Sequence, residues 1–384
     1  MHFQKIKNFQ DKLCEWIAPG CDCSVYLDGE MIYRYYTGWA DIENKIPMRG
    51  DELYFFWSAS KVITCALGFK LLEEGKFAMF DPVFDFMPEF RDVTVRKNID
   101  GREEFVKPSE PIRIGHLFNM TSGFGYDFDS PYLREVKERT NGRCPTREVA
   151  AAIAKYPLYF EPGSHWKYGF SHDLLGAFIE VVSGKKLRDY AKEVLFDPLE
   201  MNETSYNLPE SEELKKRFAV QYSYNYEEKR KVRTRTTCSH ILGPDYDSGG
   251  AGVVSTHEDY AKFAVTMANF GTSPKNGYRF LSPASINLMR TNTLTPEQIK
   301  NDFAMNMSHT WGYGYGYGVR TFMDPVRAGT LGSMGEFGWD GAAGSYVLID
   351  PDKRLSVVFT KHLLNGQGGY VQRRLKDMIY SELD

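Results

Sequence analysis

Strand signals sit at the two ends of this chain and helical signals between them, and that order limits what it can fold into. CDCSVYLDGEMIYRYYTG, from Cys21, is two β-rich runs around Asp28-Gly29, a two-residue hairpin signal. GSYVLIDPDKRLSVVFT, from Gly344, repeats the pattern around Asp350, Pro351, Asp352 and Lys353. Between them KVITCALGFKLLEEG, LLGAFIEVVSG and HEDYAKFAVTMANFG have helical spacing and stop at Gly75, Gly184 and Gly271, and the tail from Gly368 is helix-like again. The order predicts an α+β chain: a mostly antiparallel sheet from both chain ends (1–75 and 300–384), flanked by helices, with a mainly helical lobe (76–299) inserted. WGYGYGYGVR, from Trp311, reads as a strand entering that sheet; a nucleic-acid stacking platform needs basic neighbours, which are sparse here.

The 384 residues, 42 % hydrophobic, bury a sizeable core, and no repeat or low-complexity linker divides them. A net charge of −4 without a long Lys/Arg run supplies no field for collecting phosphates, so nucleic acid is excluded as a partner. No apolar run is long enough to span a bilayer, and the N-terminus lacks a signal-peptide core; the expected compartment is the cytoplasm, although a removed signal leaves the same appearance. Cys14, Cys21, Cys23, Cys65, Cys144 and Cys238 have no paired CxxC spacing and read as reduced thiols. Cys21 and Cys23 alternate with Val25 and Leu27 as one face of a strand does. The eight histidines include no HExxH, and no metal or cofactor is implied. Oligomeric state is not legible.

FWSASKVIT places Ser58 three residues before Lys61, on one face if a helix starts there. Alone, SxxK is a common helix start with a solvated lysine. Here the strand-like LYFFWS runs into a helix, so Ser58 sits at a strand-to-helix corner, where unpaired N–H groups and the positive end of the dipole face developing negative charge. Apolar neighbours such as Trp57 and Ile63 favour a neutral amine, which can take the Ser58 proton for attack on a carbonyl.

Four further segments follow in order: PIRIGHLFNMTSGFGY, EPGSHWKYGFSHDLLGAFIEVVSG, SGGAGVVSTHEDYAKFAVTMANFG and FGWDGAAGSYVLIDPDKRLSVVF. With SASK they resemble, over nearly the full chain, the serine β-lactamase and penicillin-binding-protein family. The likeness is strongest to its class C-like branch, which holds the family VIII esterases and related peptidases and transesterases. The resemblance implies the β-lactamase/transpeptidase-like fold, with residues 1–384 a single catalytic unit. It implies Ser58 as nucleophile, Lys61 as its activating partner, and Tyr168 as a second proton-transfer group able to share one proton with Lys61. It also implies an oxyanion hole from the N–H groups of Ser58 and Ala342. Tyr168 is one of 24 tyrosines, and packing through its ring is the plain alternative.

Departures from the pattern bear on substrate. Tyr-x-Asn is here Tyr168-Gly169-Phe170, which removes an amide, and Lys-Thr-Gly is here Trp339-Asp340-Gly341, which removes a cationic anchor for a substrate carboxylate. Trp339 offers an apolar face and an N–H, or serves only in packing; Asp340, facing the pocket, repels an anion. Trp339, Asp340, Gly341, Tyr126 and Phe170 are the substrate-binding candidates, and His165 and His172 are read as surface or supporting residues. The reading is a serine hydrolase, carboxylesterase-like, acting on a small ester or amide. A β-lactamase or D-amino-acid-specific peptidase is the enzymatic alternative, and a non-catalytic binding or sensor protein the alternative of another class.

Overall fold

The computed structural model describes residues 3–235 and 237–383. Its largest element is an eight-stranded sheet in the order Tyr313–Tyr315, Arg320–Phe322, Phe337–Gly338, Tyr346–Asp350, Leu355–Thr360, Gly20–Leu27, Glu30–Asp41 and Ile46–Pro47. All neighbours in it run antiparallel. The chain ends meet inside the sheet, where Val25 lies opposite Val357. Asp28 at φ 50 and Gly29 at φ 85 make the left-handed two-residue turn that the hairpin needs.

Alternation along Leu355–Thr360 splits its side chains between two cores. Leu355, Val357 and Phe359 join Cys21, Cys23 and Val25 against Ile6 and Leu13 of helix Gln4–Trp16 and Leu375 and Ile379 of helix Gly368–Tyr380. Val358 points the other way, into the core that holds Tyr260 and Phe263 of helix His257–Ala268. The cysteines are therefore core thiols, and all six are free.

Two stretches differ from the sequence expectation. The middle of the chain carries a hairpin, Val95–Ile99 with Arg102–Val106, turned by Asp100 at φ 51 and Gly101 at φ 81. That is the same Asp-Gly signal as at residue 28, flanked by charged rather than apolar strands. The Trp311 segment is a hairpin rather than one strand, because Gly318 at φ 83 turns Tyr313–Tyr315 back onto Arg320–Phe322. Among the described residues no helix is long and apolar enough to cross a membrane.

A small sheet sets up the site. Its strands Leu53–Phe55, Val253–Thr256 and Ser205–Tyr206 lie in that order, with Phe55 opposite Val254. This pairing brings the turn before Val253 against the start of helix Ser60–Glu73. Val62, Ile63, Leu67 and Phe69 on that helix are fully buried, each worth about 1.5–3 kcal/mol, so the helix is a rigid platform.

Candidate active site

Leu53–Phe55 delivers the chain to a single tight turn, Trp57–Ala59, before helix Ser60–Glu73 begins. Trp57 holds the left-handed conformation, φ 49, which costs a bulky residue about 1–3 kcal/mol. The turn is held by the indole N–H, which donates to Gln221 Oε1 at 3.0 Å. Ser58 is left half-buried at the corner.

Lys61, one turn on, is completely buried. Its Nζ donates to Ser58 Oγ at 3.1 Å and to Gly250 O at 2.5 Å. Ser60 Oγ accepts the Val253 N–H at 2.9 Å, and Thr64 Oγ1 donates to Gly249 O at 2.6 Å, so the glycine turn is fastened to the helix on both sides of Lys61. Behind it lies Asp173, which the sequence reading passed over. Its Oδ1 accepts from Ser248 Oγ at 2.6 Å, Tyr246 Oη at 2.9 Å and Gly250 N at 3.3 Å. One peptide thus joins the two buried side chains: Gly250 N–H faces Asp173 and Gly250 C=O faces Lys61.

Tyr168 precedes helix Ser171–Ser183, and its ring centroid lies 4.6 Å from Lys61 Nζ. Its hydroxyl accepts the indole N–H of Trp339 at 3.1 Å, the two rings stacking at 5.8 Å. Trp339 is 3 % exposed, so it presents no open face to a substrate and instead holds Tyr168 in place. Phe170 is 1 % exposed and meets the rings of Tyr126 and Phe128 at 5.0 and 4.9 Å. Tyr126 stands edge-on to Tyr168 at 5.9 Å, and its hydroxyl has no partner among the described residues.

Gly341 carries the strand end to the serine corner. A Cβ there would fall 2.2 Å from Phe56 O, and Ser345 Oγ donates to that same oxygen at 2.9 Å. Ala342, next in the turn, is exposed, and among the described residues its N–H has no backbone acceptor.

Asp340 behaves differently from the expectation. Its carboxylate takes Arg320 Nη1 at 2.6 Å and lies 3.1 Å from His309 Nε2. Burial pushes this carboxyl up, but the Arg320 charge and His309 outweigh it and hold the group well below the usual carboxylate range. Its charge is spent on Arg320, so the anion repulsion expected of it is largely cancelled. His165 lies at the surface with its Nδ1 3.1 Å from Asp302 Oδ2. His172 is buried, donates Nε2–H to Phe118 O at 2.8 Å, and is pulled down to about 3 by burial and the Lys61 charge.

Comparison with known proteins places this arrangement. The beta-lactamase family model matches residues 9–380. Esterase EstB of Burkholderia gladioli is 29 % identical over 97 % of this chain and 93 % of its own length. Protein Rv1367c of Mycobacterium tuberculosis is 30 % identical over 89 % and 85 %. Among solved structures, EstCE1, described as a hydrolase with promiscuous acyltransferase activity, covers 98 % of both chains at a TM-score of 0.80 and 24 % identity. Simvastatin synthase LovD of Aspergillus terreus covers 99 % of this chain and 98 % of its own at 0.83 and 21 %. With its family model matched over nearly the whole chain, and with the serine corner and buried lysine of one segment facing the tyrosine of another, the chain belongs to the beta-lactamase family.

Proposed function

We propose that this protein is a serine hydrolase that cleaves esters, and related amides, through an acyl-enzyme on Ser58. The observation that carries the reading is the run of contacts from Ser58 Oγ to Lys61 Nζ, over the Tyr168 ring, to the Trp339 N–H. Ser58 Oγ attacks the substrate carbonyl while its proton passes to the Lys61–Tyr168 pair. The N–H groups of Ser58 and Ala342 receive the oxyanion; removing one such donor typically costs about 10²–10³ in rate. As the tetrahedral adduct collapses, the bond to the leaving group breaks and Tyr168 returns the proton to that group. Water then repeats the sequence on the acyl-enzyme, restoring Ser58.

Each step uses groups of the chain itself. Ester chemistry is supported by the likeness to EstB, an esterase, and to EstCE1, a hydrolase with promiscuous acyltransferase activity. The test is intact-mass analysis after exposure to a fluorophosphonate. One adduct per chain is expected, lost in Ser58→Ala and kept in Ser60→Ala; an adduct that survives Ser58→Ala overturns the assignment.

A further inference from the structure

Two thiols meet where the first helix lands on the large sheet. Cys14 Sγ, in the last turn of helix Gln4–Trp16, lies 3.7 Å from Sγ of Cys21, the second residue of strand Gly20–Leu27. Gly38 leaves room for the approach. It stands at φ 87 opposite Gly20 on the next strand, and a Cβ there would fall 3.0 Å from the Cys14 sulfur. Cys14 is also the cysteine that reaches the surface, since the other five are buried.

The surroundings divide the work between the two sulfurs. The hydrogen bond with Cys21 pulls the Cys14 thiol below its usual range, helped by the Lys231 charge and opposed by burial and by Asp11. Lys231 is held in place by its Nζ, which donates to Cys14 O at 2.9 Å. Cys21 moves the other way, because the same shared bond and its burial push it well above the usual thiol range. Gln10 Nε2 donates to Cys21 Sγ at 3.6 Å and keeps that sulfur facing the helix. A partly exposed, acidified thiol beside a buried one is the arrangement of an attacking and a resolving cysteine. A disulfide bond is ~2.05 Å long, so less than ~2 Å remains to close, the scale of a side-chain rotation.

We propose that Cys14 and Cys21 are a peroxide-sensitive pair that oxidises to a disulfide and pins the first helix to the sheet. The Cys14 thiolate attacks hydrogen peroxide, the O–O bond breaks, and hydroxide leaves with Cys14 as the sulfenic acid. The Cys21 sulfur then attacks the Cys14 sulfur; the S–O bond breaks and water leaves with the Cys21 proton. The two sulfurs give up two electrons, and the peroxide becomes two waters once the hydroxide takes up the proton that Cys14 released. A dithiol reductant reverses the bond by exchange. No step passes through Ser58, so the inference stands apart from the hydrolase reading.

The test exposes the folded, full-length protein to a small excess of hydrogen peroxide, then denatures it with iodoacetamide present and reads the intact mass. The oxidised monomer should carry four alkyl groups where the untreated protein carries six, and dithiothreitol before alkylation should restore all six. Cleavage after Glu15 and before Asp22 separates Cys14, Cys21 and Cys23, and the joined peptides should be those of Cys14 and Cys21. Cys14→Ser should abolish the loss of two alkylation sites, whereas Cys144→Ser should keep it. Should Cys14→Ser fail to fold, peptide mapping of the wild-type protein decides alone. Six alkyl groups after peroxide, oxygen added at Cys14 without a link, or a bond between any other two cysteines overturns the proposal.

Discussion

Lys61 Nζ lies over the face of the Tyr168 ring rather than in a hydrogen bond at its oxygen, and the proposed reaction has the two residues move one proton as a unit. Lys61→Ala and Tyr168→Phe should each lower turnover by about 10² or more, and the double variant should lose far less than the product. Multiplicative losses would separate the two roles. If Trp339 serves by holding the Tyr168 hydroxyl, Trp339→Phe, which keeps a ring and removes the N–H, should lower kcat about tenfold at nearly constant KM, the scale of losing one hydrogen bond that positions a proton-transfer group. It should also displace the kcat pH profile, and a change confined to KM would return Trp339 to the substrate wall. Ser58, Lys61 and Tyr168 were legible as residues because each lies in a short local motif. Asp173 and Arg320 were not, since each matters through a partner far away in sequence: Gly250 and Asp340.

The elements that place these groups follow from local rules in some cases and from long-range pairing in others. The hairpin at Asp28-Gly29 and the helices ending near Gly75, Gly184 and Gly271 were readable because turn chemistry and helical periodicity are local signals. The small sheet of Leu53–Phe55, Val253–Thr256 and Ser205–Tyr206 was hidden, because two- to four-residue strands carry no period and only their pairing defines them. At the edge of the large sheet, Arg320 and His309 clamp Asp340 between separate elements. The folded-state pKa of Asp340 lies below its unfolded value of about 3.9. The clamp therefore stabilises the protein in full above that pH and fades as pH falls through the folded value. Urea midpoints measured below pH 4 should consequently fall less steeply for Asp340→Asn than for wild type, and parallel acid limbs would show that the clamp adds nothing.

Across the whole molecule, one sheet built from both chain ends supports a candidate site contributed by segments far apart in sequence: the corner at Ser58, Tyr168, the glycine turn at Gly250, and the Trp339–Ala342 strand end. The sheet from two ends was expected from the strand signals; the order of its eight strands, which depends on returns of the chain over hundreds of residues, was not. The proposed function places acyl transfer at Ser58. The decisive measurement is rapid-quench intact-mass analysis with p-nitrophenyl acetate, followed by peptide mapping. The account predicts a transient gain of one acetyl group on the peptide containing Ser58, prolonged in Tyr168→Phe and missing in Ser58→Ala. Steady release of p-nitrophenol by Ser58→Ala at the wild-type rate, with no acetylated Ser58 peptide in any sample, would contradict it.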